Sequence, residues 1–87
     1  MARPPKDNGN GMPDELGQTL GDRMKKSLRL AGISIEEMAE YLECHRNTIS
    51  GWLGDRAKPM AIILRLWADK TRVPVEWLRD GKWPDPT

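Results

Sequence analysis

The chain has 87 residues, of which 38% are hydrophobic and 31% charged, with a net charge of +1; that is room for one hydrophobic core and not for two. No apolar run approaches the roughly 20 residues of a membrane span and no apolar region follows the N-terminus, so a chain neither membrane-embedded nor secreted, and hence cytoplasmic, is expected. One Cys and one His, adjacent at Cys44 and His45, are too few for a disulfide framework or a structural zinc site, and the expectation is a protein without metal or cofactor that is not an enzyme.

Residues 1–13 hold three prolines and two glycines with no apolar period, which reads as a disordered arm. A domain over 14–81 and a tail over 82–87 follow. The first helix is clearest from Leu20 to Ala31, where Leu16, Leu20, Met24, Leu28 and Ala31 form one stripe. Thr19 and Asp22 resemble a capping box and Gly32 is the stop; Gly17 and Gly21 weaken the first turns and leave the start between Asp14 and Leu20. The second helix has Ser34 as N-cap, Glu37 at N3 and Ile33 placed to staple onto Met38. It buries Ile35, Met38, Ala39 and Leu42, and ends near Glu43. Its Glu36, Glu37 and Glu40 face the positive end of the helix dipole, a stabilising placement.

After a turn through Cys44 and His45, a short helix runs from Arg46 to Leu53. Its apolar residues are Ile49, Trp52 and Leu53; its other face is Arg46, Asn47, Ser50 and Gly51. Residues 54–59 are a turn-rich loop. A fourth helix is expected from about Met60 to Lys70, with Ile62, Ile63, Leu66 and Trp67 inward. A last helix starts at Val73-Pro74, with Pro74 as N1 and Trp77 and Leu78 packed on the core. No strand-like alternation occurs, so the fold class is all-α, a compact five-helix domain.

The small net charge conceals segregation along the chain. Arg23, Lys25, Lys26 and Arg29 against Asp22 give residues 21–33 a net +3, four glutamates give residues 34–43 a net −4, and Arg46, Arg56 and Lys58 against Asp55 give residues 44–58 a net +2. A near-neutral total can therefore hold a basic face. The stretch Ile35 to Leu53 reads as a helix-turn-helix. Ala39 is small where the second helix must cross closely, Met38, Leu42, Cys44, Ile49 and Trp52 flank the corner, and Arg46, Asn47 and Ser50 give the second helix a polar outer face.

With these residues the sequence resembles the helix-turn-helix domains of phage repressors and Cro proteins, the xenobiotic-response-element type. The resemblance covers roughly Leu20 to Gly81 and is carried by the stretches from Gly32 to Ala39 and from Thr48 to Leu53, by Lys58-Pro59, and above all by the stretch from Val73 to Gly81. It implies a lambda-repressor-like fold and sequence-specific binding to duplex DNA, usually as a dimer on a palindromic operator. It implies a Cro-like or small phage or prophage repressor, in a bacterial or, if phage-encoded, a host cytoplasm. The sequence departs from the family at Glu43 and Arg72, where glycine is usual, and at Leu28 and Leu53, which stand where many members carry an Arg–Glu pair.

Within that reading Arg46 and Asn47, in the first turn of the third helix, are the expected base contacts. Arg suits guanine O6 and N7, and Asn suits adenine N6 and N7. Ser50 and Gly51 join them. Expected backbone contacts are Ser34, His45 (as cap, phosphate ligand or both), Arg56, Lys58, Lys25 and Arg29. Arg3 and Lys6 in the arm read as an idle tail rather than as minor-groove contacts. Val75, Leu78 and Trp83 are the candidate surface of a weak homodimer assembled on DNA. Two other functions fit parts of the pattern: an antitoxin or excisionase-like recombination-directing protein, and a helical protein-interaction module.

Overall fold

The computed structural model describes residues 18–83; the expected arm 1–13, Leu16, and residues 84–87 of the expected tail lie outside them. Five helices follow one another among the described residues: α1 (Leu20–Ala31), α2 (Ile35–Leu42), α3 (Arg46–Leu53), α4 (Ala61–Thr71) and α5 (Val75–Asp80), with no strand. Short-range chemistry sets the ends of the first two. Thr19 and Asp22 close one capping box and Ser34 and Glu37 another, while Gly32 ends α1 in the left-handed conformation (φ 70°).

α1 is the hub, packing on α3, α4 and α5, while α2 packs on α3 and α4, and α5 on α4. Met24, Leu28, Met38, Ile49, Trp52, Leu53, Leu64, Trp67 and Leu78 form the shared core. Trp52 and Trp67 meet edge to face, with ring centroids 6.3 Å apart, the arrangement their quadrupoles favour. A buried indole N–H needs an acceptor, and that of Trp67 donates to the Ser27 hydroxyl at 2.7 Å. Ser27 in turn donates to the Met24 carbonyl at 2.6 Å. Leu28 and Leu53 are both buried, so apolar packing occupies the places of the usual ion pair, an exchange that is often neutral or stabilising.

Two tertiary joints were not visible as motifs. Arg23 is only 9% exposed, and its guanidinium donates through Nε to the Leu78 carbonyl and through Nη2 to that of Arg79, both at 2.9 Å. A buried charge is tolerated when its donors are used, and here they satisfy the last turn of α5. At the other end of α1, Gly21 lies against α3 so closely that a Cβ would stand 2.4 Å from the Leu53 carbonyl oxygen and 2.8 Å from that of Trp52. Gly21 is thus required by close approach, not merely a weak spot in the helix.

Several expectations are corrected. α4 begins at Ala61 with Met60 as an N-cap that makes no side-chain bond, and Pro74 is the N-cap of α5, not N1. Ile62, at 51% exposure, and Leu66 face outward, while Leu64, Trp67 and Ala68 are buried. Apolar residues surround most of this helix, so periodicity alone leaves its rotation open. Ala31 is exposed and does not complete the α1 stripe. Glu43 and Arg72 adopt left-handed backbone (φ 56° and 62°), so both corners carry the small strain of a non-glycine cap.

Candidate nucleic-acid interface

α3 is held by Ile49, Trp52 and Leu53, all buried in the core. Its opposite side presents Arg46, Asn47 and Thr48 to solvent, with Ser50 and Gly51 half-buried beside them. A Cβ at Gly51 would have nothing within 4 Å, so the backbone there is open to a close neighbour.

His45 caps the helix: its Nδ1 accepts from the Asn47 N–H at 3.0 Å. An imidazole accepting at Nδ1 carries its proton on Nε2, and that donor sits on an exposed ring. Capping and donation outward are therefore compatible in one side chain.

The N-terminus of α2 offers a second set of donors. The Ser34 hydroxyl accepts from the Glu37 N–H and the Glu37 carboxylate accepts from the Ser34 N–H, each at 3.0 Å. The N–H groups of Ile35 and Glu36 precede the first intrahelical bonds and have no carbonyl behind them. A contact between Arg46 Nη1 and Glu36 Oε2, at 3.3 Å, ties the start of α3 to the start of α2. Both helix N-termini, with their partial positive charge, are thereby linked at one edge of the helix pair.

The loop after α3 is anchored by the Arg56 N–H, which donates to the Gly51 carbonyl at 2.9 Å. Arg56 and Lys58 are exposed, and the Arg56 guanidinium lies over Gly54. Between them and α1 stands Asp55, in left-handed backbone (φ 60°). Its carboxylate accepts from the Thr19 hydroxyl and, at 3.0 Å, from the Gly21 N–H. These two bonds, the hydroxyl's first, hold the Asp55 carboxyl below its ordinary range. Lys25, in the middle of α1, adds a weaker lowering through its charge. Lys25 and Arg29 are both exposed, and Lys25 stands 3.9 Å from Asp22; among the described residues no ion pair joins Arg29 to the α2–α3 edge.

Of the residues expected at a dimer surface, Leu78 is wholly buried and has no area to offer a partner, which corrects its assignment. Val75 is half-buried. Trp83 is 65% exposed and meets Trp77 edge to face at 6.0 Å. Cys44 is half-buried, and burial pushes its thiol up, away from the thiolate a nucleophile needs. Among the described residues no group of three or more His, Cys, Asp or Glu could hold a metal ion, and no helix is long and apolar enough to cross a membrane.

Sequence reasoning missed Glu36 and Asp55 as site-building residues. Glu36 had an adequate local explanation in the helix dipole. Asp55 acts on residues more than thirty positions away, and no local pattern announces that.

A protein-family model described as helix-turn-helix matches residues 24–78. Comparison with curated proteins and with solved structures returns no match.

Proposed function

The chain belongs to the Cro/C1-type helix-turn-helix family and is a DNA-binding regulator; from that premise we propose that it is a sequence-specific transcriptional regulator, Cro-like or a small phage or prophage repressor, that inserts α3 into the major groove of an operator. The observation that carries this reading is the division of α3, with Ile49, Trp52 and Leu53 in the core and Arg46 and Asn47 exposed on the opposite side. Residues 14–81 act as the binding domain.

Arg46 reads guanine through paired donors and Asn47 reads adenine, with Ser50 and Gly51 one turn on, where a hydroxyl and an open backbone meet a base edge or a thymine methyl. Ser34 and the free amides of α2, together with the Nε2 donor of His45, take phosphate oxygens on one side of the groove. Arg56 and Lys58 take them on the other, and Lys25 and Arg29 extend the basic surface.

One recognition helix covers only a few base pairs, so specificity against a genome requires a second copy. The small exposed apolar area of Val75 and Trp83 supports a weak dimer that forms on DNA, over a palindrome. Selection of bound duplexes from a random pool tests the whole reading. The expected result is one preferred sequence made of inverted half-sites whose centres lie about 34–36 Å apart. A pool that stays unenriched overturns sequence specificity, and a single asymmetric site overturns the dimer.

A further inference from the structure

Among the described residues, Glu36 carries the one acidic side chain that forms an ion pair with the α3 residues proposed to read bases, and the geometry of that contact is informative. Its Oε2 meets Arg46 through Nη1, at 3.3 Å, with both side chains more than half exposed (63% and 62%). In a guanidinium, Nη1 lies on the side of Cδ, whereas Nε and Nη2 share the other edge. That second edge presents two parallel donors, the fork that bidentate recognition requires. The neighbouring Glu37 instead turns its carboxylate back to the Ser34 N–H, which Oε1 accepts at 3.0 Å.

We infer that Glu36 is a positioning residue for Arg46, holding its Nη1 so that the Nε/Nη2 edge faces a guanine, and neutralising it toward phosphates. The inference rests on the reading of Arg46 as a base contact. A free arginine on a recognition helix gains from any phosphate within reach and thereby strengthens binding to every sequence. An arginine already paired gains little from that exchange. The base edge, by contrast, can be engaged with the carboxylate still in place, and the pair strengthens as the groove excludes water. Glu36 thus adds to discrimination on both counts, by supporting the right contact and by withholding the charge from the wrong one.

The test compares the duplex recovered by selection with a scrambled duplex of the same composition, for wild type, Glu36→Gln, Arg46→Ala and the double variant. Glutamine keeps the length of the side chain and leaves the Ser34–Glu37 capping box untouched, and thermal melting of each variant checks the fold. Glu36→Gln is expected to weaken binding to the selected duplex about fivefold, the worth of one exposed charge contact. It should leave binding to the scrambled duplex undiminished while steepening its log–log salt dependence by about one unit, as one more cation reaches phosphate. In the Arg46→Ala background the same change should no longer alter the ratio between the two duplexes. An unchanged ratio in the single variant overturns the inference, as does an equal fall of the ratio in both backgrounds. Affinity rising in parallel for both duplexes would make the pair an obstacle, not a support. Arg46→Ala losing discrimination while Glu36→Gln does not would sink this inference alone; a wild type without preference would sink the functional reading with it.

Discussion

Replacing Gly21 by alanine opposes two effects of known size. Alanine is favoured over glycine in a helix by about 1 kcal/mol, and on that ground alone the variant should be more stable. The new Cβ, however, would stand 2.4 Å from the Leu53 carbonyl oxygen, 2.8 Å from that of Trp52 and 2.8 Å from Asp55 Oδ2, where real Cβ contacts essentially never fall below 3.0 Å. Two of the three atoms are backbone of α3 and cannot rotate aside, so α1 and α3 must separate. Overpacking of this kind costs about 1–3 kcal/mol, and the weakened Asp55 bond to the Gly21 N–H adds about 0.5–1.5 kcal/mol. The steric clash wins, and a net loss of about 2 kcal/mol lowers Tm by roughly 8–16 °C in a domain of this size. Gly51→Ala is the internal control, since its Cβ meets nothing within 4 Å and the helix preference should there raise Tm. Thermal unfolding followed by far-ultraviolet circular dichroism reads both variants. Gly21→Ala melting at or above wild type would refute the close-approach argument.

Other outcomes follow from the site. The lowered Asp55 carboxyl contributes stability that is complete above its ordinary value of 3.8 and is lost as pH falls through its depressed folded value; Asp55→Asn should remove that part of the acid loss, read from urea midpoints between neutral and acidic pH. Arg46→Ala and Asn47→Ala should each cost roughly 1–3 kcal/mol on the selected duplex and relax preference at one base pair per half-site; equal losses on random DNA would confine them to the backbone. Arg56→Ala or Lys58→Ala should weaken binding evenly across sequences and flatten the salt dependence by about one unit of log–log slope for each phosphate no longer neutralised; an unchanged slope in both variants would mean that the loop points away from DNA. Trp83→Ala should weaken palindrome binding while sparing half-site binding and Tm, and unaltered palindrome binding would remove Trp83 from the dimer surface.

What the sequence made legible was whatever residues a few positions apart decide. The capping boxes at Thr19–Asp22 and Ser34–Glu37, the His45 cap and both ends of α3 are all local, and each lies where the pattern puts it. The rotation of α4 was not legible, because Ile62, Ile63, Leu64 and Leu66 satisfy competing stripes and only the partner helices choose among them. Nor were the roles of Gly21, Asp55 and Arg23, whose partners lie 31 to 56 residues away. At the site, the exposed polar side of α3 was written in its periodicity, whereas the link from Arg46 to Glu36 depends on how α2 and α3 cross. The family match over 24–78 supports the helix-turn-helix and leaves the individual contact residues as proposals.

The Arg23 joint has a consequence for how the domain comes into being. Its two acceptors, the carbonyls of Leu78 and Arg79, lie 55 and 56 residues further along the chain. A polypeptide growing from its N-terminus therefore carries an arginine for which burial is costly until α5 is available. The α2–α3 pair is complete some twenty-five positions earlier, yet α1, which packs on α3, gains these two bonds only once α5 is in place. A chain lacking α5 is therefore expected to hold α1 less firmly against α3. Partial translation products ending before α5 should accordingly be less stable than the complete five-helix unit.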